Sequence, residues 1–491
     1  MKIGIDFGTS FSLPAAVING TADTLLPNGE YGIPSVFYYD AEVGVQVGNA
    51  AEYNAEFCPM NVRRDIKMEI SGHEDSFTAD GRTFSKKEIV GSILKEVRRV
   101  AAEEGSRREL ASRKIEGAVI SVPAAFNLRE LNFIREAAQA PEEAGGAGLN
   151  VLGFIREPVA AAIAYFHAPG ARDKNTILVY DLGGGTCDTA IVRADRNEPA
   201  WYRVLESEMV RIGGRDWDRV LAEIIRRKLM DVTGEAGFDE ETESRINRQA
   251  VAVKHMLSTQ PSARASVSLR GRIYSCLITV EEFEEATSFL LRETMSITRR
   301  LMEECGTKVD YIVCVGGSSN MPQVRRSFEK DYPGIPVRIF QPEKAIAFGA
   351  AIYAREMKNE HFLRDICKFS YGARYVENYP KYHDLDRLRI WNIIYKGEEL
   401  PASGTSTSTR IREDSDSTYI AIYESECTDE VYLPEKGTYI GDIQITGIKN
   451  GRKGDKTTLI MSIDRSGMMI LEAVDQRTGK KARARIQLKD F

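Results

Sequence analysis

The sequence predicts a mixed α/β architecture in two related lobes, followed by an all-β domain. Three observations carry this. Residues 3–12 (IGIDFGTSFS) and 178–192 (LVYDLGGGTCDTAIV) share one pattern: an apolar strand, an Asp, an apolar residue, then Gly and Thr in a tight turn. Strand-like and helix-like periodicities alternate from Met1 to about Lys358. From Phe369 onward the pattern is nearly all strand. Each repeated hairpin exposes backbone N–H groups at its turn while an acid hangs beside it. Two of them suggest lobes facing each other across a cleft. Phosphates then sit between the turns and a hydrated metal ion between Asp6 and Asp181, as a phosphoryl-transfer site requires.

The elements follow in order. Ala118–Val122 (AVISV) is a β-rich run, followed by Pro123 and a helical stretch from near Asn127. Glu157–Phe166 (EPVAAAIAYF) reads as a buried helix with Pro158 in its first turn, where a missing N–H costs little. Thr176–Asp181 and Thr189–Arg193 are strands around the glycine turn. Val220, Leu221, Ile224, Ile225 and Leu229 give Trp217–Met230 helical spacing, and Phe283–Met302 is a second long helix. Ile312–Val315 is a buried strand, and Met321–Glu329 starts a helix with Pro322 early in it. Residues 359–368 read as a linker, which places the domains at 1–358 and 369–491. In the second, Ser417–Glu424 and Thr457–Asp464 alternate as strands, and Gly404–Thr409 is an edge strand or a loop.

Composition narrows the function classes. A chain of 491 residues exceeds one usual domain. A net charge of −6 argues against a dedicated nucleic-acid binder. Arg98–Arg99 and Arg107–Arg108 lie among acids and read as solvated helix faces. Seven cysteines with no CxxC pair argue against a disulfide framework or a zinc site, so a reducing, cytoplasmic location is expected, with Cys187 as a small packed residue. No signal peptide or long uncharged apolar run is read, so no membrane partner is expected. Five histidines leave little scope for His-based catalysis.

Glycine-bearing turns follow buried strands at Gly8–Ser10, at Gly183, Gly184 and Gly185 before Thr186, and at Gly316–Ser319. Gly213–Gly214 precedes a helix. Glycine lets the backbone approach phosphate oxygens closely. No GxxxxGK[ST] occurs, so the chain is not a P-loop enzyme by motif. Lys67 is a candidate for charge neutralisation. Asp6, Asp181, Asp188 and Glu157 are hard oxygen groups suited to Mg²⁺. Thr9 and Thr186 can hydrogen-bond a terminal phosphate or the attacking water.

These residues resemble the seventy-kilodalton heat-shock (DnaK-like) chaperone family of the actin-like, ribonuclease H-like ATPase superfamily. IGIDFGTSFS resembles its first phosphate loop, and VGNAAEYNAEFCPMNVRRDIK places Lys67 on its catalytic lysine. AVISVPAAFN resembles the segment with the switch proline, here Pro123, and IREPVAAAIAY places Glu157 on its catalytic-site glutamate. VYDLGGGTCDTAIV, RIGGRDWD, VGGSSNMPQV and PEKAIAFGAAI follow in the family's order. DICKFSYG, YIGDIQITGI and SIDRSGMMILEAVDQRTGK resemble its peptide-binding β-sandwich, which singles out the chaperone branch.

The resemblance implies ATP binding and hydrolysis coupled to peptide affinity. Gly8, Thr9, Ser10, Phe11, Lys67, Gly183–Thr186, Gly213, Gly214, Gly316, Gly317, Ser318 and Glu343 would contact ATP or ADP. Asp6 and Asp181 would hold Mg²⁺ through water, while Thr186, Lys67, Glu157 and Asp188 would orient the attacking water and stabilise the transferring phosphoryl. Lys254 and Ser258 would face ribose and adenine. Unfolded peptide or a dedicated client, with J-domain and nucleotide-exchange co-chaperones, are the implied partners of a monomer.

Departures qualify this. His255 and Asn320 stand where the family has arginines flanking adenine, and Val251 replaces a ribose-binding Glu, which weakens base stacking. Ala125 and Leu131 replace a Tyr and an Arg that relay ATP binding, and Gly153 replaces an Arg met by the J-domain. The linker keeps Asp365 without the usual leucines. The helical lid is missing from the pattern, so fast peptide exchange is expected. The loop 377–391 is longer than the family's, either an altered substrate site or a decorated surface loop. Rival readings are a small-molecule kinase on the same fold, an actin-like filament protein, and a nucleotide-binding scaffold.

Overall fold

The structure is a computed structural model, and it describes residues 1–70, 76–110, 114–170, 174–376, 388–411, 413, 416–465 and 468–485. The chain forms a mixed α/β structure of several sheets and helices. It divides into two compact units. One comprises Met1–Ala124, Ile134–Glu198 and Ser207–Asn359; the other comprises Ala125–Phe133, Pro199–Glu206 and Glu360–Phe491.

The first unit contains two sheets built on one plan. In the first, Val151–Arg156, Gly117–Val122, Lys2–Phe7, Phe11–Ile18 and Thr21–Thr24 lie in that order. Lys2–Phe7 is parallel to Gly117–Val122 and antiparallel to Phe11–Ile18, with Asp6 opposite Leu13. In the second, Val337–Ile339, Tyr311–Val315, Lys174–Leu182 and Cys187–Asp195 follow the same sequence of parallel, parallel and antiparallel pairings, with Asp181 opposite Asp188. The central strands are buried along most of their length (Ile3, Ile5, Phe7; Ile177 through Leu182) because helices cover the sheets. The repeated hairpin pattern is thus a repeated topology, and each copy delivers an Asp one residue before its strand ends.

Two alanine-rich helices hold the unit together. Glu157–His167 starts with Pro158 in its first turn and buries Ala160, Ala161, Ala162 and Ala164. It packs on the second sheet, whereas Ala345–Glu356 packs on the first and against Glu157–His167. Small side chains bring the two backbones close: a Cβ on Gly349 would stand 1.8 Å from Ala160 O. Elsewhere the helices run longer than their apolar spacing indicates. Gly214–Thr233 extends the span expected from Trp217, and Val280–Cys305 is capped by Thr279 Oγ1, which accepts from Glu282 N at 3.3 Å. Pro322–Asp331 has its proline at the start, as its sequence requires. The helix Lys86–Arg107 opens with a Ser85–Glu88 capping box.

In the second unit two antiparallel sheets share one core. One orders Val431–Tyr432, Leu388–Ile394, Ser370–Val376, Ser417–Ser425 and Thr438–Thr446; the other orders Ala402–Thr409, Lys456–Ile463, Met469–Asp475 and Lys481–Arg485. Ile394, Ile420, Ile422, Ile443, Leu459, Met461 and Leu471 fill the space between them. The Ser/Thr-rich run is a strand, Ala402–Thr409, at a sheet edge. Of the loop 377–391, residues 377–387 lie outside the described residues and Leu388–Trp391 is strand. The stretch 359–368 also carries structure. Leu363–Arg364 pairs with Tyr202–Arg203, Leu400 N donates to Asp365 O at 2.7 Å, and Cys367 N donates to Glu398 O at 2.8 Å. A run without apolar periodicity still pairs here because its backbone groups find partners.

Among the described residues no helix is long and apolar enough to cross a membrane. All seven cysteines are free, and Cys187 is fully buried.

The close packing of Gly349 on Ala160 yields one expectation. Gly349→Val overpacks the helix pair and costs the first unit about 3 kcal/mol or more. Its thermal transition falls by several degrees, while that of the second unit is unmoved in the same calorimetric scan. An unshifted first transition contradicts the packing described.

Candidate functional site

The site grows from strand ends. Asp6 and Asp181 occupy equivalent places in the two hairpins, and Asp188, the second residue of the return strand, lies opposite Asp181. Glu157 is the first residue of its helix, and Lys67 lies on the short 3-10 turn Ile66–Glu69. These five side chains, from four separate segments, gather in one cluster that is buried except at the partly open Asp6. Lys67 Nζ donates to Glu157 Oε1, with both residues at most 5 % exposed, and the ammonium lies 5.8 Å from the Phe7 ring centroid. Ser121 Oγ donates to Asp6 Oδ1 at 3.0 Å, and Ala124 N donates to Asp188 Oδ1 at 2.5 Å.

Four carboxylates around one ammonium leave an excess of negative charge in a medium that solvates it poorly. Burial, followed by the charge of Glu157, pushes Asp6 and Asp188 up to about 7. Asp181 rises well above the ordinary carboxylate range, from burial first and then from Glu157, Asp188 and Asp6. Asp181 Oδ1 and Asp188 Oδ2 are buried without a hydrogen-bond partner. Orphaned oxygens in a cluster short of positive charge fit a divalent cation. Among the described residues no three His, Cys, Asp or Glu side chains are set to grip a bare ion. The fit is therefore to an ion that keeps much of its water shell, as Mg²⁺ does.

The glycine turns converge on this cluster. Ser35 Oγ donates to Gly8 O at 2.8 Å, which pins the 8–10 turn beside Thr9 and Ser10. Gly183 N donates to Thr186 O at 3.0 Å and closes the second turn. A Cβ on Gly185 would stand 2.6 Å from Met68 Sδ and 3.0 Å from Thr9 Oγ1, so the two glycine turns and the Lys67 turn meet at this residue. Gly214 N donates to Gly183 O at 2.9 Å, and a Cβ on Gly214 would stand 2.1 Å from Ser318 Oγ. Gly316 has φ 80, and a Cβ there would stand 2.4 Å from Asp181 Oδ1. The segments around 8, 67, 184, 214 and 317 are thus neighbours. Thr9, Thr186, Gly213 and Ser318 are buried among them, and Ser10, Gly183 and Gly184 are partly open.

The residues expected to face ribose and adenine lie on and after the helix Glu240–Leu257. Lys254 is buried, and its ammonium is engaged by Gly214 O and Asp218 Oδ2, both at 2.8 Å. Burial lowers its pKa, and Asp218 opposes that effect. It ties the Gly213–Gly214 turn to the helix Glu240–Leu257. Ser258 Oγ donates back to Lys254 O at 3.1 Å. Phe11, Val251, His255, Gly317, Asn320 and Glu343 are exposed. Two open cavities, of about 410 and 370 Å³, lie beside Tyr165 and Arg338 and beside Glu56 and Arg248, and neither is lined by a residue of this cluster.

Sequence reasoning missed Ser121, Asp218, Asp65 and Arg215. A polar residue at the end of a buried strand before Pro123 was a signal for Ser121, and a charged residue directly after Gly213–Gly214 was one for Arg215. Asp65 and Asp218 carry no local signal.

The raised carboxylates set a pH dependence. The unfolded acids titrate near 4 and the folded Asp6 and Asp188 near 7, so the folded chain binds more protons between these values. Stability of the ligand-free first unit therefore falls as pH rises through that window. Its melting temperature is expected to be lower at about pH 8 than at about pH 6, and Asp188→Asn flattens the difference. A midpoint that rises with pH in the parent chain contradicts the electrostatics above.

A family model described as Hsp70 protein matches residues 73–490. The matched span includes Glu157, the 183–186 turn, Asp188, Gly213–Gly214 and the 316–318 turn, together with nearly all of the second unit. It begins after Asp6, Thr9 and Lys67, whose place in the site rests on the geometry above. A match over so much of the sequence means that the chain belongs to the Hsp70 family.

Proposed function

We propose that this chain binds ATP with Mg²⁺ in its first unit, hydrolyses it slowly, and binds unfolded peptide or a dedicated client through its second. Family membership supports a chaperone ATPase at the coarse level. The finer reading rests on one observation: the buried Lys67–Glu157 pair, ringed by Asp6, Asp181 and Asp188, lies where three glycine turns meet. The duplicated strand plan of the two sheets favours a two-lobed, actin-like nucleotide domain over 1–358, a connector at 359–368 and a β-sandwich over 369–491.

In this reading the backbone N–H groups of the 8–11 and 183–186 turns bind phosphate oxygens, and Gly213–Gly214 and Gly317–Ser318 line the same cradle. Asp6 and Asp181 hold Mg²⁺ through water, and the ion supplies positive charge to the phosphate oxygens. Lys67 presents its ammonium to the transferring phosphoryl, while Glu157 fixes that ammonium in place. Asp188, with a raised pKa and an uncommitted Oδ2, accepts a hydrogen bond from the attacking water, and Thr186 orients that water. The exposed His255 and Asn320 stack on a base less firmly than two guanidinium planes, so the triphosphate contributes most of the binding. The sandwich holds an extended peptide through backbone hydrogen bonds and an apolar contact.

Two measurements test this. Lys67→Ala is expected to cut single-turnover ATP hydrolysis about 100-fold or more and to change ATP affinity by less than about 10-fold. A parent chain with no turnover, or a variant as fast as the parent, refutes the catalytic assignment. An unfolded-peptide probe is expected to bind the full chain with an affinity that changes several-fold when ATP is added. No peptide binding under either condition refutes the second half of the reading, and equal binding under both leaves two uncoupled modules.

A further inference from the structure

The turn that carries Lys67 is anchored to the rest of the site by a side chain that the family reading does not use. Asp65 opens this turn with φ 67, a left-handed conformation that strains a non-glycine residue. A segment strained at its first residue keeps its shape only when its surroundings hold it. The Asp65 carboxylate forms an ion pair with Arg215, and both side chains are partly buried. Arg215 directly follows Gly214, and its backbone N–H donates to Gly184 O at 2.9 Å. One residue therefore grips the 183–186 turn through its main chain and the Lys67 turn through its guanidinium.

Two neighbouring contacts run in the same direction. Arg211 Nη1 donates to Met68 O at 3.4 Å, and Met68 Sδ lies against Gly185. Both Asp65 and Met68, which bracket the Ile66–Lys67 pair, are tied to the 183–215 region. Lys67 itself reaches the opposite side of the site through Glu157.

We infer that the Asp65–Arg215 pair is a positioning strut. It sets the height of the Lys67 ammonium against the 183–186 turn, so that the positive charge stands ready before phosphoryl transfer begins. Neither residue touches nucleotide in this account. The inference rests on the ATPase reading above. Preorganised charge acts on the transition state, so the strut governs hydrolysis more than nucleotide binding. Solvent screening weakens a partly exposed ion pair, so its contribution to stability is small and rate is the informative readout.

The test uses the full chain and Mg-ATP. Arg215→Gln and Asp65→Asn each remove the pair, and Asn tolerates the left-handed backbone. Each is expected to slow single-turnover hydrolysis about 10-fold or more, while the ATP dissociation constant moves by less than about 3-fold. The double variant is expected to be no slower than the slower single one, because the pair acts as a unit. Arg215→Lys, which keeps the charge, is expected to recover part of the lost rate. Unchanged rates, additive losses in the double variant, or parallel losses of affinity and melting temperature overturn the strut. If the parent chain shows no turnover, the ATPase reading fails and the strut falls with it. If the parent is active and both variants match it, only the strut fails.

Discussion

One electrostatic constraint shapes the first unit: a buried ammonium–carboxylate pair shares its pocket with three further acids. Lys67 and Glu157 satisfy each other, and burial together with the charge of Glu157 holds Asp6, Asp181 and Asp188 toward their protonated forms. Two like charges about 4 Å apart repel by about 4 kcal/mol at an effective dielectric of about 20. Such a cluster persists because a rigid scaffold enforces it. The acids are held at strand ends by cross-strand register, and Glu157 by the first turn of an alanine-rich helix. The arrangement is costly in a chain without a cation beside these acids.

The scaffold meets this demand by repetition. Two sheets with the same order of parallel and antiparallel pairings each present one aspartate and one glycine turn. Two alanine-rich helices, Glu157–His167 and Ala345–Glu356, meet at Ala160 and Gly349, where small residues let the backbones approach closely. The same economy recurs in the turns, where Gly185 and Gly214 stand against Met68, Thr9 and Ser318. Small residues thus do two jobs in this unit. They bring helices together, and they bring the glycine turns against the acidic cluster.

Much of this was legible in advance. The repeated strand–Asp–Gly–Thr pattern located both hairpins, and helical spacing found Glu157–His167, Gly214–Thr233 and Val280–Cys305 to within a few residues. The ends were less legible, because caps such as Thr279 and Ser85 act through hydrogen bonds that apolar periodicity does not register. Within the site, the Lys254 ammonium meets Gly214 O and Asp218, contacts that no local pattern announces. Asp218 is 36 residues away along the chain, and only folding brings it there. The Asp65–Arg215 pair was invisible for the same reason.

The sequence alone determined the residue chemistry and the local geometry of each piece: acids at strand ends, glycines in turns, a proline-started alanine helix, and alternating strands after residue 369. Those features depend on neighbours a few positions apart, so they are written in local order. Tertiary structure decided which pieces meet. It paired Lys67 with Glu157 across 90 residues, left Asp181 Oδ1 without a partner, raised three carboxylates together, and strapped Asp65 to Arg215. Charge coupling and desolvation depend on distance in space, and that distance exists only once the chain has folded.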